Sequence, residues 1–191
     1  MRNSNILLIF DCFGVVVHTA SEVWVRMFPN SDEKIEEALK IFNTGDKGLA
    51  TFDETISNAS KLFNANPEET KRIWRELAKP LELVDYLPIL KEKYAIELLS
   101  NATDTFLESL FLKYNLYPLF DEMVISYKEG ITKPDIEIFN LALKRMNKTY
   151  DKVLFFDDNP INVEAACKAG IKGILYTDFE TFKNNLDEYL K

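Results

Sequence analysis

Ile6-Leu7-Leu8-Ile9-Phe10-Asp11-Cys12-Phe13-Gly14-Val15-Val16-Val17 opens with an unbroken apolar run that stops at an acid, and a glycine follows three residues later. Apolar residues without polar alternation suit a strand buried on both faces, as at the centre of a parallel sheet. Gly14 gives the chain the turning freedom it needs where such a strand ends. Asp11 is thereby placed at the carboxyl end of a central strand, where open α/β sheets hold their ligands. Read alone, the same acid could simply cap a turn, so the rest of the chain has to decide.

Working outward, the 191 residues are 47% hydrophobic and 28% charged, which fits one domain with an insertion, or a large and a small domain. A net charge of -8 and a pI near 4.8 argue against a nucleic-acid surface, which needs clustered Lys and Arg. An anionic small substrate remains compatible, because a metal ion and one lysine can reverse the local sign. Cys12 and Cys167 read as reduced thiols, and with one histidine they are too few for a structural zinc site. No apolar run reaches membrane-spanning length, and Met1 to Asn5 is too short and polar for a secretion signal. The expectation is a cytoplasmic protein with no nucleic-acid or membrane partner.

From about residue 19 to 80 the periodicity is helical throughout. Ile35, Leu39 and Phe42 form one apolar stripe, with Glu36 and Lys40 four apart on the outer face. Gly45 and Gly48 read as breaks before a second stripe of Phe52, Ile56, Ala59 and Phe63. Asn66-Pro67-Glu68-Glu69 starts a further helix that carries Ile73, Trp74 and Leu77 and stops before Pro80. Residues 19–82 are therefore expected as an inserted small helical cap, with 1–18 and 83–191 forming the core domain. From residue 83 strands and helices alternate, which predicts a parallel sheet with right-handed crossovers. Helices are expected over 84–93, 104–114, after Lys133-Pro134-Asp135, over 160–169 and in the tail carrying Phe179, Phe182, Leu186 and Tyr189. Strands are expected over 95–99, 123–125, 153–156 and 174–176, giving an α/β, Rossmann-like parallel sheet.

Three strands thus end in polar residues: Asp11, Ser100-Asn101 and Asp157-Asp158. In a parallel sheet these ends share one edge, and Lys133, just before a helix, can reach it. Paired carboxylates are hard ligands of the kind Mg²⁺ takes alongside water and phosphate oxygens. A hydroxyl and backbone N–H groups at a strand-to-helix turn suit a phosphate, and an Asp can attack phosphorus.

On these residues the sequence resembles the haloacid dehalogenase (HAD) superfamily. Its four motifs occur in order: Phe10-Asp11-Cys12-Phe13-Gly14-Val15, Leu98-Leu99-Ser100-Asn101, Gly130-Ile131-Thr132-Lys133-Pro134-Asp135, and Phe155-Phe156-Asp157-Asp158-Asn159 with Asn162, Ala165, Ala166 and Gly170. The resemblance covers roughly residues 5–18 and 83–177, and the helical block falls where the family carries its C1-type cap. It implies a Mg²⁺-dependent phosphatase that acts through an aspartyl-phosphate on a small phosphorylated metabolite. Asp11 would be the nucleophile. Mg²⁺ would be held by Asp11, the main-chain carbonyl of Phe13 and Asp158, with Asp157 supporting directly or through water. Ser100 and the Asn101 N–H would bind the phosphoryl group, and Lys133 would neutralise charge between it and Asp11. On the plainer reading Ser100 caps a helix, Lys133 is a solvated loop lysine, Cys12 is a packed side chain, and Trp24, Phe28 and Trp74 are core.

One position departs from the family pattern. Its phosphatases usually carry a second Asp two residues after the nucleophile, which protonates the leaving group and later activates water. Phe13 can do neither, and losing a positioned general acid costs on the order of 10²–10⁴ in rate. A phosphatase lacking it is expected to favour good leaving groups such as anomeric sugar phosphates or acyl phosphates. The sequence is most similar to a branch with bacterial α-glucose-1-phosphate phosphatases, which also lack the second Asp. His18, at the hinge into the helical block, is a candidate substrate-facing acid or base, or else a hinge-packing residue. A 2-haloacid dehalogenase also has an aromatic residue at that position, but lacks the acidic pair seen at Asp157 and Asp158. A catalytically weak phospholigand-binding protein is the third reading.

Overall fold

The structure, a computed structural model, describes residues 5–29 and 31–191; the first four residues of the chain, and Asn30, lie outside them. Strands β1 (Ile6–Phe10), β2 (Ala95–Ser100), β3 (Glu122–Ile125), β4 (Lys152–Asp157) and β5 (Lys172–Leu175) form one sheet in the order β3-β2-β1-β4-β5. Every pairing is parallel, and β1 sits between β2 and β4, with Leu8 opposite Ile96 on one side and Leu154 on the other. Successive side chains of β1 enter different cores. Leu8 and Phe10 join Ile96, Leu98 and Phe156 on one face, while Leu7 and Ile9 join Leu99, Val124 and Phe155 on the other. This two-sided burial is why the opening run has no polar alternation.

Ten α-helices lie among the described residues. Four follow β1: α1 (Ala20–Val25), α2 (Ser31–Asp46), α3 (Phe52–Phe63) and α4 (Pro67–Leu77). The others are α5 (Leu83–Lys91), α6 (Phe106–Lys113), α7 (Ser126–Glu129), α8 (Ile136–Arg145), α9 (Pro160–Lys168) and α10 (Phe179–Tyr189). Residues of α5, α6 and α10 cover the first core, and those of α8 and α9 the second. None is long and apolar enough to cross a membrane.

Thr51 and Glu54 form a reciprocal capping box that starts α3, and the Asn66 side chain accepts from the Glu68 and Glu69 N–H groups at the start of α4. Trp24 then packs edge-on against Phe28, Phe63 and Trp74, with ring centroids 4.9–6.4 Å away. The two chain segments entering and leaving these helices run side by side. Val17 bridges Pro80, the His18 N–H donates to the Lys79 carbonyl at 2.9 Å, and the Leu81 N–H to the Val16 carbonyl at 2.9 Å.

The fold corrects several local readings. Gly45 does not break a helix but lies on the buried side of α2, where an added Cβ would meet Thr55 Oγ1 at 2.4 Å and Thr103 Cγ2 at 2.5 Å. Gly48, with φ +70°, is the true stop. The buried stripe of α2 uses Ala38 and Gly45, while Leu39 is 52% exposed. β5 starts two residues before its expected position, and the single turn α7 and a 3-10 turn at Tyr117–Leu119 are too short to carry a period.

Candidate active site

The carboxyl edge of the sheet gathers the acids. The Asp11 N–H donates to the Phe156 carbonyl at 2.9 Å, which holds Asp11 at the end of β1 beside the end of β4. Asp157 ends β4, and Asp158 turns back across Gly14: a Cβ on that glycine would stand 2.0 Å from Asp158 Oδ2. Gly14 also has φ +93°, so both its backbone and its bare α-carbon are required here. Carboxylate oxygens of Asp11, Asp157 and Asp158 all lie within 4.8 Å of one another, an arrangement that could hold a metal ion.

Lys133 enters between them. The Asn101 side chain grips its backbone in both directions, accepting from the Lys133 N–H at 2.8 Å and donating to the Lys133 carbonyl at 2.9 Å. The ammonium, 1% exposed, donates to Asp11 Oδ1 at 2.6 Å and Asp157 Oδ2 at 2.7 Å. Asp157 is fully engaged: Oδ1 also accepts from the Asn159 N–H at 2.8 Å, and the Asn162 amide lies 3.1 Å from both oxygens.

One ammonium thus serves a cluster of three carboxylates. Burial pushes the Asp11 carboxyl above its ordinary range, Lys133 opposes that, and Asp157 adds to it. Burial and then Asp157 push Asp158 up to about 6, again against Lys133. Lys133 itself is held above its usual value: burial works against its charge, and Asp11 and Asp157 outweigh it. Such excess negative charge fits a divalent cation, whose charge replaces the missing partners and whose preference is for oxygen.

Above the cluster lies a cavity of about 520 Å³. Its lining includes Asp11, Phe13, Asn101, Lys133 and Asp158 from the sheet edge, and Phe42, Asp46, Thr55 and Trp74 from α2, α3 and α4. Phe13 stacks on Phe106 (6.0 Å, 10°), which stacks on Phe52 (4.8 Å, 12°), so an apolar column joins the sheet edge to α3. The expected site residues Asp11, Phe13, Asn101, Lys133, Asp157 and Asp158 are therefore brought together, and Lys133 is no solvated loop lysine.

Two expected residues are not brought into the lining. Ser100 is completely buried at the end of β2, its hydroxyl donating to the Asn101 carbonyl at 3.3 Å. His18 is exposed on the hinge and does not line the cavity, and its backbone N–H donates to the Lys79 carbonyl. Cys12 is a packed, buried thiol whose acidity burial and Asp11 suppress. Trp74 lines the cavity, whereas Trp24 and Phe28 are core. The sequence reading missed Asp46 and Thr55. The available signal for Asp46 was an acid in the last turn of a helix, opposed to the helix dipole, directly after a glycine.

A five-stranded parallel sheet with an acid after its central strand, an acidic pair after the neighbouring strand and a buried lysine between them is the frame of a HAD-type hydrolase. Residues 7–170 match the profile of haloacid dehalogenase-like hydrolases, and the chain belongs to that family. A D-ribitol-5-phosphate phosphatase of Bacteroides thetaiotaomicron is 27% identical, over 92% of this chain and 90% of its own length. A phosphorylated carbohydrates phosphatase of Thermotoga maritima is 32% identical, over 87% of this chain and 82% of its own. A crystal structure of a HAD family enzyme of B. thetaiotaomicron, in complex with magnesium and inorganic phosphate, superposes with a TM-score of 0.71 at 25% identity, covering 90% of this chain and 94% of that one.

Proposed function

We propose that this hydrolase is a Mg²⁺-dependent phosphatase that removes the phosphoryl group from a small carbohydrate or polyol phosphate. The observation that carries the reading is the Lys133 ammonium shared between Asp11 and Asp157, with Asp158 alongside, at the floor of a cavity roofed by aromatic and hydroxyl groups. The names of the two curated relatives support the substrate class.

In this reading Asp11 is the nucleophile: its free oxygen attacks phosphorus, the bond to the leaving oxygen breaks, and an aspartyl-phosphate forms. Lys133 lies on the other oxygen of Asp11, orienting the carboxylate and offsetting charge that builds on the phosphoryl oxygens. Asp11, the Phe13 carbonyl and Asp158 would hold Mg²⁺, which supplies charge stabilisation to the phosphate. Asp157, with both oxygens occupied, supports by fixing Lys133. Asn101 fixes the same lysine through its backbone, and Ser100 contributes to the phosphoryl site only after its hydroxyl turns from the Asn101 carbonyl.

The test is phosphate release from D-ribitol 5-phosphate, hexose 1- and 6-phosphates and acyl phosphates, with and without EDTA. Release that needs Mg²⁺ and is abolished in Asp11→Asn supports the reading. Halide release from a 2-haloacid that survives EDTA, without phosphate release, overturns it.

A further inference from the structure

Phe13 stands where a phosphatase of this frame needs a proton donor, and the cavity wall holds other acids. Four carboxylates line it: Asp11, Glu22, Asp46 and Asp158. Asp11 and Asp158 belong to the cation cluster. Glu22 is exposed on α1, on the Asp158 side, where its charge acts on that residue. The single histidine is outside the lining. Asp46, the last residue of α2, is the remaining acid, and it is partly buried over the same cavity that Lys133 enters.

Its placement is built rather than incidental. The Ser126 hydroxyl of α7 donates to the Asp46 carbonyl at 2.5 Å and accepts from the Ala102 N–H at 3.0 Å, pinning the end of α2 to the loop after β2. Gly45 lets α2 close onto Thr55 and Thr103 with no side chain between. Beside it, two polar atoms in the cavity wall are buried with no hydrogen-bond partner: Thr55 Oγ1, in contact with the Gly45 position, and Trp74 Nε1. Such groups are costly to leave unpaired, and a ligand bearing hydroxyls would satisfy them.

We propose that Asp46 is the proton donor to the leaving oxygen, and the base for the water that follows, so that the acid missing at position 13 is supplied by the inserted helices. Thr55 and Trp74 would bind the hydroxylated leaving group beside it. The inference rests on the phosphatase reading above. As Asp11 attacks, the P–O bond to the leaving group breaks and the Asp46 proton passes to that oxygen, giving an alcohol, an aspartyl-phosphate and an Asp46 carboxylate. Water then attacks phosphorus, its proton goes to Asp46, and the bond between Asp11 and phosphorus breaks. Phosphate leaves, and both acids return to their starting states. Burial pushes Asp46 up to about 7, with Lys133 pulling it down. Asp11, Asp158 and Glu22 are the other charged groups on the wall. An acid of that strength is substantially protonated at neutral pH, as a donor must be.

The experiment compares p-nitrophenyl phosphate, whose leaving group needs no proton, with D-ribitol 5-phosphate and an alkyl phosphate, in the wild type and in Asp46→Asn and Asp46→Glu with Mg²⁺. Asp46→Asn is expected to lower kcat/KM for the alkyl esters by on the order of 10²–10³ while changing p-nitrophenyl phosphate only a few-fold. With the alkyl esters the wild-type kcat/KM should fall above about pH 7, this fall should be absent in Asp46→Asn and with p-nitrophenyl phosphate, and Asp46→Glu should restore part of the alkyl-ester rate. The ratio of two substrates in one preparation cancels any loss of folded protein. Equal losses on both ester classes, or none on either, overturn the assignment while leaving the phosphatase reading intact. A wild type that hydrolyses no phosphomonoester overturns both.

Discussion

Replacing Glu97 by Gln should stabilise the protein at neutral pH and leave it unchanged in acid. Glu97 is completely buried in β2, neither carboxylate oxygen has a hydrogen-bond partner, and Glu122 sits opposite on β3. Burial, and then the charge of Glu122, push it from 4.5 up to about 9, with Arg145 opposing. Between those values the folded protein holds a proton that the unfolded chain has released, so stability falls as pH rises across that window. From the unfolded value to pH 7 is about 2.5 pH units at about 1.4 kcal/mol each, or about 3 kcal/mol lost. Gln keeps the shape without titrating. Urea unfolding of both proteins at pH 5, 7 and 8.5 in EDTA measures the difference. The raised carboxyls of the active site contribute to both proteins alike and cancel in the comparison. A gap between variant and wild type that does not widen with pH would refute the reasoning.

Gly14→Ala should raise the Mg²⁺ concentration for half-maximal activity at least tenfold, because the new methyl displaces Asp158 from the cluster; thermal melts should show about 1 kcal/mol of added backbone strain. Lys133→Met leaves Asp11 and Asp157 facing each other uncompensated in a buried site and should cost about 3–5 kcal/mol, with Mg²⁺ raising the Tm of the variant more than that of the wild type. Ser126→Ala removes the hydroxyl that holds the Asp46 carbonyl and should slow alkyl phosphates more than p-nitrophenyl phosphate in steady-state assays.

What could be read in the sequence was whatever a short stretch determines by itself. An unbroken apolar strand that ends in an acid belongs at the centre of a parallel sheet, so Asp11 and Asp157 fall at the same sheet edge wherever the intervening helices lie. The same holds for Lys133 just ahead of its helix and for the Asn66-Pro67 helix start. The failures share a different cause. Gly45, a helix breaker by residue type, is a contact whose partners Thr55 and Thr103 come from α3 and from the loop after β2. His18 lies outside the cavity lining, on a segment whose backbone pairs with Lys79, 61 positions on, a partner no local pattern announces. Ser100 sits at the expected place, but its hydroxyl follows a neighbouring carbonyl.

The division between legible and illegible residues follows the division of labour in the site. Groups expected to act on the phosphoryl end of the substrate, common to every phosphomonoester, all come from strand ends and the loops beside them, where the pairing of β1 with β2 and β4 fixes their spacing. Groups that would meet the leaving end stand on helix termini and faces of α2, α3 and α4, joined to the sheet only through two paired segments and contacts such as Ser126 with Asp46. A proton donor at position 13 would serve any leaving group that enters. A donor on α2 would serve best a leaving group that also reaches Thr55 and Trp74, which ties protonation to recognition. An acid on α2 would therefore turn a general phosphatase frame into one that discriminates through kcat as well as through KM.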